Sequence, residues 1–171
     1  VIFAGAQKNM APAGLTVVIV REDLAGRELP FTPKMLGYQI MIDKDSMYNT
    51  PPCWCIYMLG LVLDWLEGQG GVEGMEAIKH RKAQMLYDVI DSSKHFTCAA
   101  EKGSRSDMNV TFRSDSEELD AKFVSEAAAA GFTNLKGHRS VGGMRASIYN
   151  AMPVEGVEKL CDFIRAYDQK N

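Results

Sequence analysis

The sequence predicts an α/β fold in two unequal parts, and three patterns support this. From about residue 70 onward, short β-like runs alternate with long segments of helical periodicity. Near the beginning, two apolar runs, Val1–Ala4 and Leu15–Val20, bracket a loop of small residues. Between these regions lies a segment, residues 52–67, that is apolar nearly all round. Strands interleaved with helices give a small α/β domain in which the helices cover one face of a mainly antiparallel sheet. Residues 1 to about 50 do not share that pattern and read as the tail of another domain.

Val1–Ala4 reads as a buried strand that breaks at Gly5, and Leu15–Val20 reads as a second. Arg21–Gly26 is a single helical turn ended by glycine. Pro30, Pro33 and Gly37 leave residues 27–47 mainly as loop, with Tyr38–Ile42 as a short extended piece. Thr50 then reads as an N-cap and Pro51 as the first helical residue, where a missing N–H costs nothing. The helix they open carries Trp54, Ile56, Tyr57, Leu59, Leu61, Val62, Leu63 and Leu66, so it must be covered by other parts of the protein or by a partner subunit. Gly68–Gly71 stops it. A second helix, about 72–92, places Met75, Ile78, Met85, Leu86, Val89 and Ile90 on one face, with Lys79, Arg81, Lys82 and Asp88 mostly on the other. Phe96–Ala99, Met108–Phe112 and Arg145–Tyr149 are strands. Glu117–Ala130, ended by Gly131, is a helix with Leu119, Phe123, Val124 and Ala127 inward. Val154–Tyr167 is the last, facing inward through Val157, Leu160, Cys161 and Ile164.

Composition narrows the function. With 46% hydrophobic and 24% charged residues, the 171-residue chain is that of an ordinary soluble protein. A net charge of -3 argues against broad nucleic-acid binding, although local basic sites for a small anion remain open. The longest apolar run, Cys53–Leu63, is too short for a membrane span, which takes about 18 residues or more. Four cysteines without a C-x-x-C pair and only three histidines give no metal-site spacing. Reduced, mostly buried thiols in a cytoplasmic protein are expected. The chain begins without methionine, inside what reads as an interior strand, and is expected to be the C-terminal half of a longer enzyme.

Three groups could carry chemistry. Lys8 stands alone between two apolar runs. Burial there would favour its neutral amine, a nucleophile able to form a Schiff base with a carbonyl. By spacing alone, a solvated loop lysine is the commoner outcome. Asn49-Thr50, at the start of a helix, could seat a phosphate on free N–H groups, and alone would more often be an ordinary cap. Gly137–Pro153 sets His138, Arg139 and Arg145 among glycines just ahead of a strand. Arg145 suits a bidentate clamp on a carboxylate. His80 and His95 read as structural, and Trp54 and Trp65 as packing residues.

The wording of these stretches goes further. Gly5-Ala-Gln-Lys-Asn9 followed by Pro12-Ala-Gly14, then Asn49-Thr50, then Gly137-His-Arg-Ser-Val-Gly-Gly-Met-Arg-Ala-Ser-Ile-Tyr-Asn-Ala-Met-Pro153, occur in the order that resembles the phosphoserine aminotransferase family of class V, fold-type I transaminases. The resemblance covers essentially the whole chain. It implies that residues 1–70 end the large domain that binds pyridoxal phosphate, and that residues 71–171 form the small C-terminal domain, joined through the helix at about 72–92. It also implies that Lys8 is catalytic, and that Gln7, Lys8, Asn49 and Thr50 bind the cofactor, the Asn-Thr pair doing so across a homodimer interface in the partner's site. His138 and Arg139 would bind the substrate's distal anion, again in the neighbouring site, and Arg145 its α-carboxylate. The implied substrates are L-glutamate and 3-phosphohydroxypyruvate, giving 3-phosphoserine and 2-oxoglutarate for serine synthesis, with a related step in vitamin B6 synthesis in many bacteria. No metal, nucleic acid or membrane enters. Ala11 departs from the family, where glycine is commoner. The aromatic residue that stacks on the cofactor and the aspartate that pairs with its pyridine nitrogen fall outside this sequence. Two other readings stay open: another class V aminotransferase, or a fragment without activity of its own.

Overall fold

The computed structural model describes residues 1–170 and divides into two compact units, residues 1–68 and the chain from Gln69 onward. In the first unit, β1 (Ile2–Gly5) and β2 (Thr16–Ile19) form an antiparallel two-stranded ribbon that pairs Ile2 with Ile19 and Gly5 with Thr16. A 3₁₀ turn at Glu22–Leu24 matches the expected single turn ahead of Gly26, whose φ is +72°. The ribbon was expected to be buried. Instead Ile2 is 66% and Phe3 77% exposed, because a two-stranded ribbon has no third layer of its own to lie on.

Two further corrections fall in this unit. Tyr38–Asp43 is a helix, α1, and not an extended piece. The carboxylate of Glu28, eleven residues upstream, accepts the Gln39 N–H at 3.0 Å, satisfying a first-turn donor that local sequence leaves open. The apolar helix, α2, spans Cys53–Gly68, so Thr50 is not its N-cap and Pro51 is not its first residue. The first turn closes instead between the Ile56 N–H and the Pro52 carbonyl, 3.1 Å. Along α2 only Cys55 is buried; Trp54, Tyr57 and Leu61 all stand exposed.

The second unit has a core of its own. It contains α3 (Gly71–Ser92), β3 (Thr97–Cys98), β4 (Asn109–Arg113), α4 (Glu117–Ala129), β5 (Met144–Ser147) and α5 (Val154–Lys170). The sheet runs β3-β4-β5, antiparallel throughout, with Val110 opposite Ala146 and Phe112 opposite Met144. Those four residues point to one face and are buried, as the period-2 pattern requires. On them pack α3 and α5 through Leu86, Val89, Ile90, Val157, Leu160 and Ile164. At the centre Phe123 of α4 is fully buried, with ring centroids 4.8 Å from Phe96, 5.1 Å from Tyr167 and 5.9 Å from Phe112. Ser116 caps α4 by accepting the Leu119 N–H. Gly131, at φ +95°, ends it with bonds from its own N–H to Ala128 and from Phe132 to Ala127.

Lys82 departs from its assignment to the polar face of α3. It is fully buried, and its ammonium donates to the carbonyls of Tyr149 (2.8 Å), Asn150 (3.3 Å) and Met152 (3.0 Å). Burial draws its pKa below the usual lysine value. The cation thus fastens the turn between β5 and α5 onto α3. A carboxylate does the matching work at the other end: Asp168 of α5 accepts from Ser93 Oγ and from the N–H groups of Lys94 and His95.

Candidate functional site

The lysine loop is built from the backbone inward. The Ala6 N–H donates to Leu15 (2.9 Å), and the N–H groups of Met10 and Ala11 both return to the Ala6 carbonyl. Ala6 is completely buried. At the apex the Asn9 N–H donates to the Gln7 carbonyl at 3.1 Å around Lys8, whose φ is +77°. This is the left-handed γ-turn, a rare and strained conformation for a residue with a side chain. Such strain gathers at functional positions, and nothing in the Gln-Lys-Asn wording signals it. Beneath the loop, the Cys55 thiol of α2 donates to the Ala13 carbonyl at 3.3 Å, and a Cβ on Gly14 would touch that sulfur at 3.4 Å.

Lys8 and Gln7 are exposed. The burial that would activate the amine is therefore not supplied by these residues. The surface beside the loop is open at Gly5, where an added Cβ would meet nothing within 4 Å. Asn49 and Thr50 lie exposed in the approach to α2, and Asn49 Nδ2 contacts Met35 Sδ at 3.2 Å.

In the second unit, His138 and Arg139 line one cavity of about 610 Å3. Its wall on the other side is α4, with Glu117, Asp120 and Ser125; Lys136 completes the basic side and was missed in the sequence, although it directly precedes the glycine-rich run. The loop that carries them is tightly closed. The Gly137 N–H bonds the Gly143 carbonyl at 2.8 Å, and a Cβ on Gly137 would lie only 2.0 Å from the Gly142 oxygen, so no other residue fits. Inside this closure, His138 Nδ1 lies 2.7 Å from Ser140 Oγ and 3.3 Å from the Ser140 backbone nitrogen.

Arg145 lies on β5 opposite Thr111, and its backbone N–H bonds Leu135 at 2.7 Å. Because Met144 and Ala146 face the core, Arg145 takes the opposite face. Its Nε is buried and has no hydrogen-bond partner among the described residues. An arginine held in this way has donor capacity available for a ligand. His80 pairs through Nδ1 with Asp107 at 2.7 Å, in keeping with a structural role. No group of residues able to hold a metal ion occurs among the described residues, and no helix there is long and apolar enough to cross a membrane.

The model of the class-V aminotransferases matches residues 1–160. The chain belongs to that family. Over 171 residues it is 57% identical to the phosphoserine aminotransferase of Laribacter hongkongensis, covering 99% of this chain and 48% of that protein. It is 54% identical to the chloroplastic phosphoserine aminotransferase 2 of Arabidopsis thaliana, covering 100% of this chain and 41% of that one. Among solved structures, the phosphoserine aminotransferase of Bacillus circulans subsp. alkalophilus superposes with a TM-score of 0.95 at 49% identity, covering 98% of this chain and 47% of the other. The enzyme of Trichomonas vaginalis, solved with pyridoxal phosphate bound, superposes at 0.90 and 40% identity, covering 95% and 47%. The chain therefore spans about half the length of the curated relatives it matches.

Proposed function

We propose that the whole protein is a phosphoserine aminotransferase, moving an amino group between L-glutamate and 3-phosphohydroxypyruvate to give 3-phosphoserine and 2-oxoglutarate. The observation that carries this reading is the turn that holds a lysine at φ +77° beside an open, small-residue surface. Pyridoxal phosphate, when bound, supplies a carbonyl carbon and a ring that takes up an electron pair. Lys8 Nζ holds it there and, once released, carries a proton to or from the substrate Cα. Gln7, Asn49 and Thr50 contact the cofactor, the latter two from the partner of a homodimer. Arg145 clamps the α-carboxylate with its guanidinium fork. His138 and Arg139 receive the distal phosphate, and their position on a closed, glycine-bounded loop supports that role.

Residues 1–70 then belong to the large domain and 71–171 to the small one. The exposed Trp54, Tyr57 and Leu61 of α2 support a covering surface from the partner subunit or from the rest of the enzyme. Four unpaired cysteines support a cytoplasmic setting.

The test is to incubate the full enzyme with pyridoxal phosphate, reduce with borohydride and map the tagged lysine by mass spectrometry. Selective tagging of Lys8 is expected; tags on other lysines with Lys8 untouched would overturn its assignment. For the substrate, His138→Ala with Arg139→Ala in the full enzyme should raise KM for 3-phosphohydroxypyruvate far more than for pyruvate. Equal losses would overturn the phosphate reading.

A further inference from the structure

We infer that Ser140 is a positioning residue that fixes the tautomer of His138, leaving Nε2 as the N–H that donates to an anion. The inference rests on the anion role proposed for His138, but its geometry stands on its own. Two donors of one residue converge on one ring nitrogen: Ser140 Oγ at 2.7 Å from His138 Nδ1, and the Ser140 backbone nitrogen at 3.3 Å. The hydroxyl could give or take a proton in this contact. The backbone amide can only give one, so Nδ1 must present its lone pair, and the ring proton of the neutral imidazole then lies on Nε2. With Nδ1 thus committed, the hydroxyl donates as well.

The loop is built to hold this arrangement. The His138 carbonyl accepts the N–H groups of both Val141 and Gly142 at 2.9 Å, and the Gly137–Gly143 bond closes the ends, so residue 140 is kept directly beside the ring. A free imidazole exchanges between two tautomers, only one of which aims a donor from Nε2. Removing that choice pre-organises the site and lowers the cost of binding an anion there. His138 is exposed, so packing does not fix its ring, and the Ser140 contacts take that part.

The test uses long-range 15N–1H correlation spectra of the chain at pH about 8.5, where an ordinary imidazole of pKa about 6.5 is neutral. The three histidines are told apart by the loss of one set of signals in His138→Gln. The wild type should show the lone-pair shift at Nδ1 and the N–H shift at Nε2. Ser140→Ala keeps the amide contact at 3.3 Å but loses the shorter hydroxyl bond, so it should move both part of the way toward the averaged values of exchanging tautomers. Ser140→Thr, which keeps the hydroxyl, should restore them. With inorganic phosphate as the probe, Ser140→Ala should raise the concentration that half-shifts His138 about fivefold, the size expected from losing one hydrogen bond. A proton on Nδ1 in the wild type, or an unchanged tautomer in Ser140→Ala with the amide spectrum otherwise intact, would overturn the inference. Phosphate that leaves wild-type His138 unmoved would instead overturn the anion assignment, while the tautomer result stands.

Discussion

The two units solve the burial problem in opposite ways. From Gln69 onward, three strands and three helices enclose their own apolar residues, and Phe96, Phe112, Phe123 and Tyr167 stack edge to face at the centre. In residues 1–68 the only buried side chains are those of Ala6, Ala11 and Cys55, all around the lysine loop, while Phe3, Phe31 and Trp54 are 77%, 81% and 65% exposed. One unit is a domain in energetic terms. The other holds a well-bonded loop on elements whose apolar faces call for further surface, as expected for a chain that spans half of its relatives.

Substitutions can break or sharpen this contrast. Phe123→Ala should have the largest effect, about 3–5 kcal/mol off the stability of the second unit, because four aromatic neighbours cannot close the cavity. Denaturant unfolding followed by near-UV circular dichroism would measure it, and a loss below 1 kcal/mol would remove the claim that this core stands alone. Lys82→Met comes next, at about 2–3 kcal/mol in the same assay. The methionine keeps most of the volume but leaves the Tyr149 and Met152 carbonyls without the ammonium. A neutral result would show that the buried cation is no clasp.

Asp168→Asn should cost about 1 kcal/mol at pH 7, discounted for its partial exposure. Burial pushes the Asp168 carboxyl up, but donation from Ser93, Lys94 and His95, with the charge of His95, outweighs it and holds the folded value below the usual range. A depressed carboxyl stabilises the fold above the ordinary value near about 3.9, and that contribution is lost as pH falls through the lower folded value. The variant and the wild type should therefore converge in stability on the acid side, which acid titration of the unfolding midpoint would reveal. Phe3→Ser should do least, within about 0.5 kcal/mol, because its side chain is already in water. A larger cost would mean that the ribbon is covered in solution.

Periodicity made most of the second unit legible. Val157, Leu160, Cys161 and Ile164 were placed inward on α5 and all are buried, and Phe123 and Ala127 were placed inward on α4. Lys82 shows where this reading stopped short. It stands seven residues after Met75 and four before Leu86, squarely on the buried stripe, yet its charge outweighed its position. The helix at Tyr38–Asp43 was hidden because its first-turn donor is satisfied from Glu28, a partner that local spacing does not name. Thr50 failed as a cap because two prolines follow it and the helix waits until both have passed. The candidate site residues were found through wording that resembles a family. The γ-turn at Lys8 and the Ser140–His138 contact were not, since the first is set by the backbone and the second by the loop closure that brings residue 140 beside the ring.

The clasp between α3 and α5 also sets an order of events during synthesis. The first helix of the second unit packs on its last, and Lys82 and Asp168 bond segments separated by 67 to 75 residues. Contacts of such sequence separation repay their loop-closure cost only when both ends are present. Until α5 has left the ribosome, the faces of α3 and the sheet that bear Leu86, Ile90 and Val110 have nothing to close against. This unit therefore closes its core only after α5 emerges, and until then its apolar faces stay open to unproductive contacts.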